Sequence, residues 1–193
     1  MPLPAAFELL RQRRSVPARQ LTAPAPEGDE RRALLEAAVR VPDHGKRVPF
    51  RLIVLEGAAK TEFGERLARI AATRDPDASA ARQAKERERY AHAPLVLVVV
   101  ARIEPDGKIP ESEQLLSAGC VAYNLLLGAE ALGYGAQWLT GWAAYDAEVA
   151  ALLGLAANER IIGFVHIGTP RASAPERERP ALERVVTGWT PPH

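Results

Sequence analysis

The chain has 193 residues, 47% hydrophobic and 25% charged, a balance that suits one globular domain with a substantial core. Its 25 basic residues face 24 acidic ones, for a formal net charge of +1, which argues against a nucleic-acid binder with a basic surplus on one face. Only Lys46, Lys60, Lys85 and Lys108 are lysines, so arginine is the default cation and a single arginine says little about a ligand.

The N-terminal Met1-Pro2-Leu3-Pro4 carries neither the charged nor the apolar block of a signal peptide. The longest apolar run, Leu95 to Ala101, is far too short to span a bilayer. A cytoplasmic protein that engages no membrane is expected.

Ala5 to Gln12 reads as a helix with Phe7, Leu9 and Leu10 on its apolar face. Pro17, Pro24 and Pro26 then hold an extended connection. Gly28-Asp29 opens a second helix with Leu34, Leu35, Ala38 and Val39 on one face, and Pro42 ends it. Arg51 to Glu56 predicts a strand. Two polar helices follow, about Ala58 to Ala72 and about Ala78 to His92; in the second, Arg82, Lys85, Glu86, Arg87, Glu88 and Arg89 predict a solvated charged face.

Ala93 to Arg102 contains Leu-Val-Leu-Val-Val-Val, apolar on both faces and therefore central in a covered sheet. Pro110 to Leu132 is the strongest helix. Its Leu115, Leu116, Cys120, Val121, Tyr123 and Leu125 to Leu127 surround nearly the whole circumference, so it should be buried on all sides, in the core or against a second subunit. Gly133 caps it. Tyr134 to Leu139 predicts a strand, Asp146 caps a helix to about Leu153, and Arg160 to Gly168 predicts another strand. From about residue 172 to 193 the chain reads as a C-terminal arm, polar and proline-containing at its start. Strands separated by helices imply an α+β or α/β layered domain.

Cys120 excludes an internal disulfide and is expected to be a buried, inert thiol. His44, His92, His166 and His193 have no partner at i+3 or i+4, so no metal array is expected, and His166 reads as a hydrogen-bonded core histidine. Neither a Gly-x-Ser-x-Gly elbow nor a Gly-x-x-x-x-Gly-Lys loop occurs. The remaining chemistry is basic and hydroxylic: Arg13, Arg14, Ser15, Arg40, His44, Lys46, Thr140 and Arg171. Such a set suits a phosphorylated ligand and supplies no general base for hydrolysis. It fits a protein that supplies cations and amides and leaves the reaction to a bound cofactor.

Several pieces recur together. One helix ends in Arg13-Arg14-Ser15; the next ends in Arg40-Val41-Pro42-Asp43-His44 with Pro49-Phe50 after it. Ser117-Ala118-Gly119-Cys120, Leu132-Gly133-Tyr134-Gly135 with Trp138, and Ile162-Gly163-Phe164 leading to Gly168-Thr169-Pro170 complete the series. In this order and spacing, from about residue 5 to about residue 171, the chain resembles the nitroreductase family of flavoproteins in its short, YdjA-like branch.

The resemblance implies an α+β fold, with a central, mostly antiparallel sheet flanked by helices and a long buried helix at a homodimer interface. It further implies bound FMN, NADH or NADPH as hydride donor to flavin N5, and a nitroaromatic, quinone or similar acceptor. By the same resemblance Arg13, Arg14 and Ser15 hold the FMN phosphate and ribityl chain, and Arg171 is a second phosphate cation. Arg40 and His44 approach the flavin from the partner subunit, while Trp138, Leu139 and Thr140 line the isoalloxazine. No side chain is expected to act as a catalytic acid or base.

The chain departs from the family's pattern at Pro17, where many members carry a basic residue, at Lys46, where an Asn is frequent, and at Val48 and Phe50, which replace a Gln and a Trp. The missing cation is expected at Lys46, Arg40 or His44. An FMN-binding protein without turnover, serving storage or sensing, is the alternative that Pro17 favours.

Overall fold

The structure, a computed structural model, describes residues 4–77, 79–105 and 107–191. Helices α1 (Ala5–Gln12), α2 (Gly28–Ala38), α3 (Gly57–Arg74), α4 (Ala80–Glu88), α5 (Glu111–Ala131) and α6 (Ala147–Leu152) alternate with strands β1 (Leu21–Thr22), β2 (Phe50–Glu56), β3 (Leu95–Arg102), β4 (Gly135–Leu139) and β5 (Glu159–Pro170). The strand order is β1-β5-β3-β2, with β4 also paired to β5, and every pairing is antiparallel. This is the α+β architecture the sequence resemblance implies.

The Val-rich run explains the layering. Side chains alternate across a strand, so β3 feeds two cores. Leu95, Leu97, Val99 and Ala101 pack with α2 and with Ala118, Val121, Ala122 and Leu125 of α5. Val96, Val98 and Val100 pack with Phe63, Leu67 and Ile70 of α3, with Tyr90 and with Phe164 of β5. Burying each such Val or Leu stabilises the fold by about 1.5–3 kcal/mol, so β3 anchors both layers. Asp146 caps α6 as expected, its carboxylate accepting from the N–H groups of Glu148 and Val149 at 3.0 Å each. Gly133, at φ +84°, closes α5. Among the described residues no helix is long and apolar enough to cross a membrane.

Five expectations need correction. Helix α5 is not buried on all sides in the single chain: Leu116 is 69% exposed and Tyr123 41% exposed. Cys120, between them on that stripe, is exposed rather than buried. The 3.6-residue period makes 116, 120, 123 and 127 one face, and among the described residues that face is left exposed at 116, 120 and 123 and half-buried at 127.

The second polar helix spans only 80–88, and its proposed first residue, Ala78, lies outside the described residues, as do Met1 to Leu3 and His193. The charged face of α4 is not uniformly solvated either, because Glu86 is buried. Finally, His166 is buried but neither ring nitrogen has a hydrogen-bond partner. Burial, with Lys60, Arg89 and His92 adding positive charge nearby, pushes its pKa down to about 3, so the imidazole is neutral.

Candidate functional site

The basic turn after α1 is extended, so successive side chains diverge. Arg13 lies with its guanidinium 3.5 Å from the Ser15 hydroxyl. Arg14 turns elsewhere: it donates to the carbonyls of Arg11 and Arg13 at 3.0 Å each and pairs with Glu176 of the C-terminal arm. Its backbone N–H donates to Glu130 at 3.2 Å. The next residues run beside β4, the N–H of Val16 donating to the Ala136 carbonyl at 3.0 Å and that of Ala18 to Gln137 Oε1 at 2.7 Å.

Those contacts make one wall of a cleft of about 680 Å³. Pro17, Ala18 and Arg19 face Ala81, Ala84, Lys85 and Glu88 of α4, with Arg89 and His92 just beyond, across a floor of Gln137 and Leu139. Arg19, Lys85 and Arg89 against the single Glu88 leave the lining cationic.

Arg89 donates to Glu86 at 3.0 Å, and its guanidinium lies against Gly141, where an added Cβ would sit 2.8 Å from Nη1. Gly141 has φ +66°, a backbone state that also selects glycine. Trp138, one residue from the floor, points to the opposite face of the strand. Its indole N–H donates to the Ile162 carbonyl at 3.2 Å, in space that the missing side chain of Gly163 leaves open. Thr140 is half-buried just past β4.

The second basic cluster lies along α5. Asn124 donates to the carbonyls of Ala38 and Arg40 at 3.3 Å each, and the Ser117 hydroxyl donates to the Pro42 carbonyl at 2.7 Å. His44 Nδ1 is 2.7 Å from a Glu113 carboxylate oxygen. The Asp43 carboxylate accepts from the N–H groups of Arg47 and Val48 at 2.9 Å each, which stabilises a turn with positive φ at Gly45, Lys46 and Val48. The side chains of Arg40, His44 and Lys46 are exposed and none of them lines the cleft of its own chain.

The nitroreductase family model matches residues 10–169. The chain belongs to the nitroreductase family. A relative in Escherichia coli K12, "Putative NAD(P)H nitroreductase YdjA", is 36% identical over 169 residues, covering 88% of this chain and 90% of its own. Among solved structures, the nitroreductase-like family protein of Bacillus cereus superposes with a TM-score of 0.80 at 22% identity, over 97% of each chain. A nitroreductase of Bacteroides fragilis with bound FMN superposes with a TM-score of 0.72 at 22% identity, over 96% of this chain and 98% of its own.

In this nitroreductase-family chain the sequence-predicted residues fall into separate groups. Arg13 and Ser15 come together, Leu139 enters the cleft, and Thr140 follows it. Arg14 is tied to the arm, Trp138 is behind β4, and Arg40 and His44 sit on α5. Arg171 is exposed, its backbone N–H donating to the Gln20 carbonyl at 2.9 Å.

The cleft residues missed by sequence reasoning are Arg19, Lys85, Arg89, His92 and Gln137. The period-2 rule could have found Gln137, because it shares a face with Leu139. The α4 cations carried no such signal, since a helix of alternating charges reads as solvent-facing.

Proposed function

We infer that the protein is an FMN-dependent NAD(P)H oxidoreductase working as a homodimer, its nitroreductase-like domain covering the chain and residues from about 172 forming an arm. The observation that carries this reading is the cationic cleft floored by Gln137 and Leu139, whose lining begins at Pro17, two residues after the Arg13–Ser15 pair. The donor set fits FMN. A phosphate needs charge-assisted donors, and Arg13 and Ser15 form such a pair. The cleft volume lies within the range of small-molecule sites. The Bacteroides fragilis relative carries the same cofactor.

When bound, FMN supplies hydride acceptance from NADH or NADPH and passes electrons to a nitroaromatic, quinone or similar acceptor. The chain's residues bind and orient. Arg13 and Ser15 donate to the phosphate, with Arg171 as a second cation. Leu139 and Thr140 present backbone and side chain to the ring edge, and Trp138 braces β4 from behind. Arg89 supplies within the cleft the cation that Pro17 cannot. Arg40 and His44, which do not line their own cleft, serve the partner's. The α5 stripe of Leu116, Cys120 and Tyr123 is the surface that the second subunit covers. A cytoplasmic protein, with access to that compartment's nicotinamide pool, fits this reading.

The absorbance spectrum of purified protein tests the reading: the two bands of an oxidised flavin are expected. A colourless protein that also fails to take up added FMN overturns it. Pro17 favours the second reading, an FMN-binding protein without turnover. Bleaching of the bound flavin by NADH or NADPH, followed by recovery with an added acceptor, separates the two.

A further inference from the structure

The Glu86 carboxylate is shared between two elements that are remote in sequence. One oxygen accepts from Arg89 at 3.0 Å and the other accepts from the indole N–H of Trp142 at 2.9 Å. Glu86 is buried, and a buried carboxylate is retained only where its lone pairs are satisfied. The Glu86–Arg89 pair also touches two cavities: Arg89 lines the cleft, whereas Glu86 and Trp142 line a second space of about 170 Å³.

Trp142 is fixed in turn by Arg74, whose guanidinium lies 5.5 Å over its ring and pairs with the helix-capping Asp146. A continuous polar chain therefore runs from the cleft to the start of α6. Its cleft end is the Arg89 guanidinium, seated on Gly141.

We propose that Glu86 is a positioning residue: it clamps Arg89 at the edge of the cleft and ties the end of α4 to the turn at Gly141 and Trp142, so that the α4 wall is held in place. The free end of a guanidinium at the end of a short helix samples many rotamers; a buried carboxylate, itself fixed by the Trp142 indole, removes much of that freedom before a ligand arrives. The effect on FMN rests on the flavin reading above, while the clamp is a property of the chain alone.

The test uses Glu86→Gln, Arg89→Gln and the double variant, with two readouts. In ligand-free protein the indole N–H resonance of Trp142, assigned by its loss in Trp142→Phe, is expected to move in Glu86→Gln. It should also move in Arg89→Gln, because the shared carboxylate loses its second partner. FMN affinity is expected to fall on the order of tenfold in each single variant. The double variant should lose no more than the larger single loss, since Glu86 acts through Arg89.

An unmoved indole resonance in Arg89→Gln overturns the clamp, and so do FMN losses that multiply in the double variant. If the wild type binds no FMN, the flavin reading fails on its own and the resonance still decides the clamp. A Glu86→Asp variant that restores affinity supports the same role with the charge kept.

Discussion

Ser117 donates its hydroxyl to the Pro42 carbonyl across 75 residues of sequence, and Asn124, two helical turns further along α5, holds the carbonyls of Ala38 and Arg40. These bonds end α2 and set the basic segment that follows against α5, beside the exposed stripe. The cluster is thus held by the helix as well as by the Asp43 turn of its own loop. Ser117→Ala leaves a part-buried carbonyl without its donor, and a loss of about 1–2 kcal/mol is expected from the shift in the urea midpoint. An unchanged midpoint would mean that the loop is set by its own Asp43 turn.

The two arginines of the first cluster should separate cleanly. Arg13→Ala is expected to weaken FMN binding by about 1.5–3 kcal/mol, the value of a hydrogen bond to a charged group. Arg14→Ala should leave FMN affinity within a few-fold and instead free the arm at Glu176, seen as faster proteolysis after residue 171. Flavin-fluorescence titration of both variants checks this; equal losses would show that both guanidinium groups reach the phosphate.

Leu116→Glu places a charge on the α5 stripe. Sedimentation should change from dimer to monomer at micromolar protein, and FMN uptake should fall with it, since Arg40 and His44 would no longer reach the partner's site. A wild-type monomer that carries FMN would contradict both points.

Acid should destabilise the fold in two separable steps. His166 has a folded pKa lowered to about 3 against 6.5. The unfolded chain alone takes up that proton, so stability is full above about pH 6.5 and falls as the pH drops toward 3. Glu159 accepts from Arg51 at 2.7 Å and from Arg102 at 3.0 Å. With the Arg51 bond as the main cause, its carboxyl is held at about 2 against 4.5. Its contribution, on the order of 1–3 kcal/mol, is present above about pH 4.5 and is lost as the pH falls toward 2. Urea midpoints across pH should show the first slope vanish in His166→Phe while the second remains. Persistence of the upper slope in that variant would assign it to another group.

Arg40→Gln tests how charge reaches the flavin from outside the cleft. If Arg40 faces the partner's flavin, the midpoint potential should fall, because reduction places negative charge on the ring and a permanent cation stabilises it. A potential and an affinity that both match wild type would leave the role to Arg89 within the cleft.

The sequence by itself determined the four longer strands, the helix order and the family, while the two-residue β1 lay in what read as an extended connection. The Leu95–Arg102 run is apolar at every position that two covered faces require, and Asp146 and Gly133 mark helix ends through their own chemistry. These signals are local, so no distant residue is needed to read them. Tertiary structure decided which of the basic residues meet. Extended backbone sends Arg14 to Glu176 and away from Arg13, and the strand period turns Trp138 behind the floor that Gln137 and Leu139 make.

Glu86 and Arg89 look like ordinary surface charges in a run of six. They differ only because the end of α4 meets the turn after β4, where the Trp142 indole nitrogen comes within 2.9 Å of the buried carboxylate. The same holds for Cys120 and Leu116, whose apolar period is legible but which the described residues leave exposed. Periodicity records which side chains leave water; what they meet there depends on contacts between residues far apart in sequence.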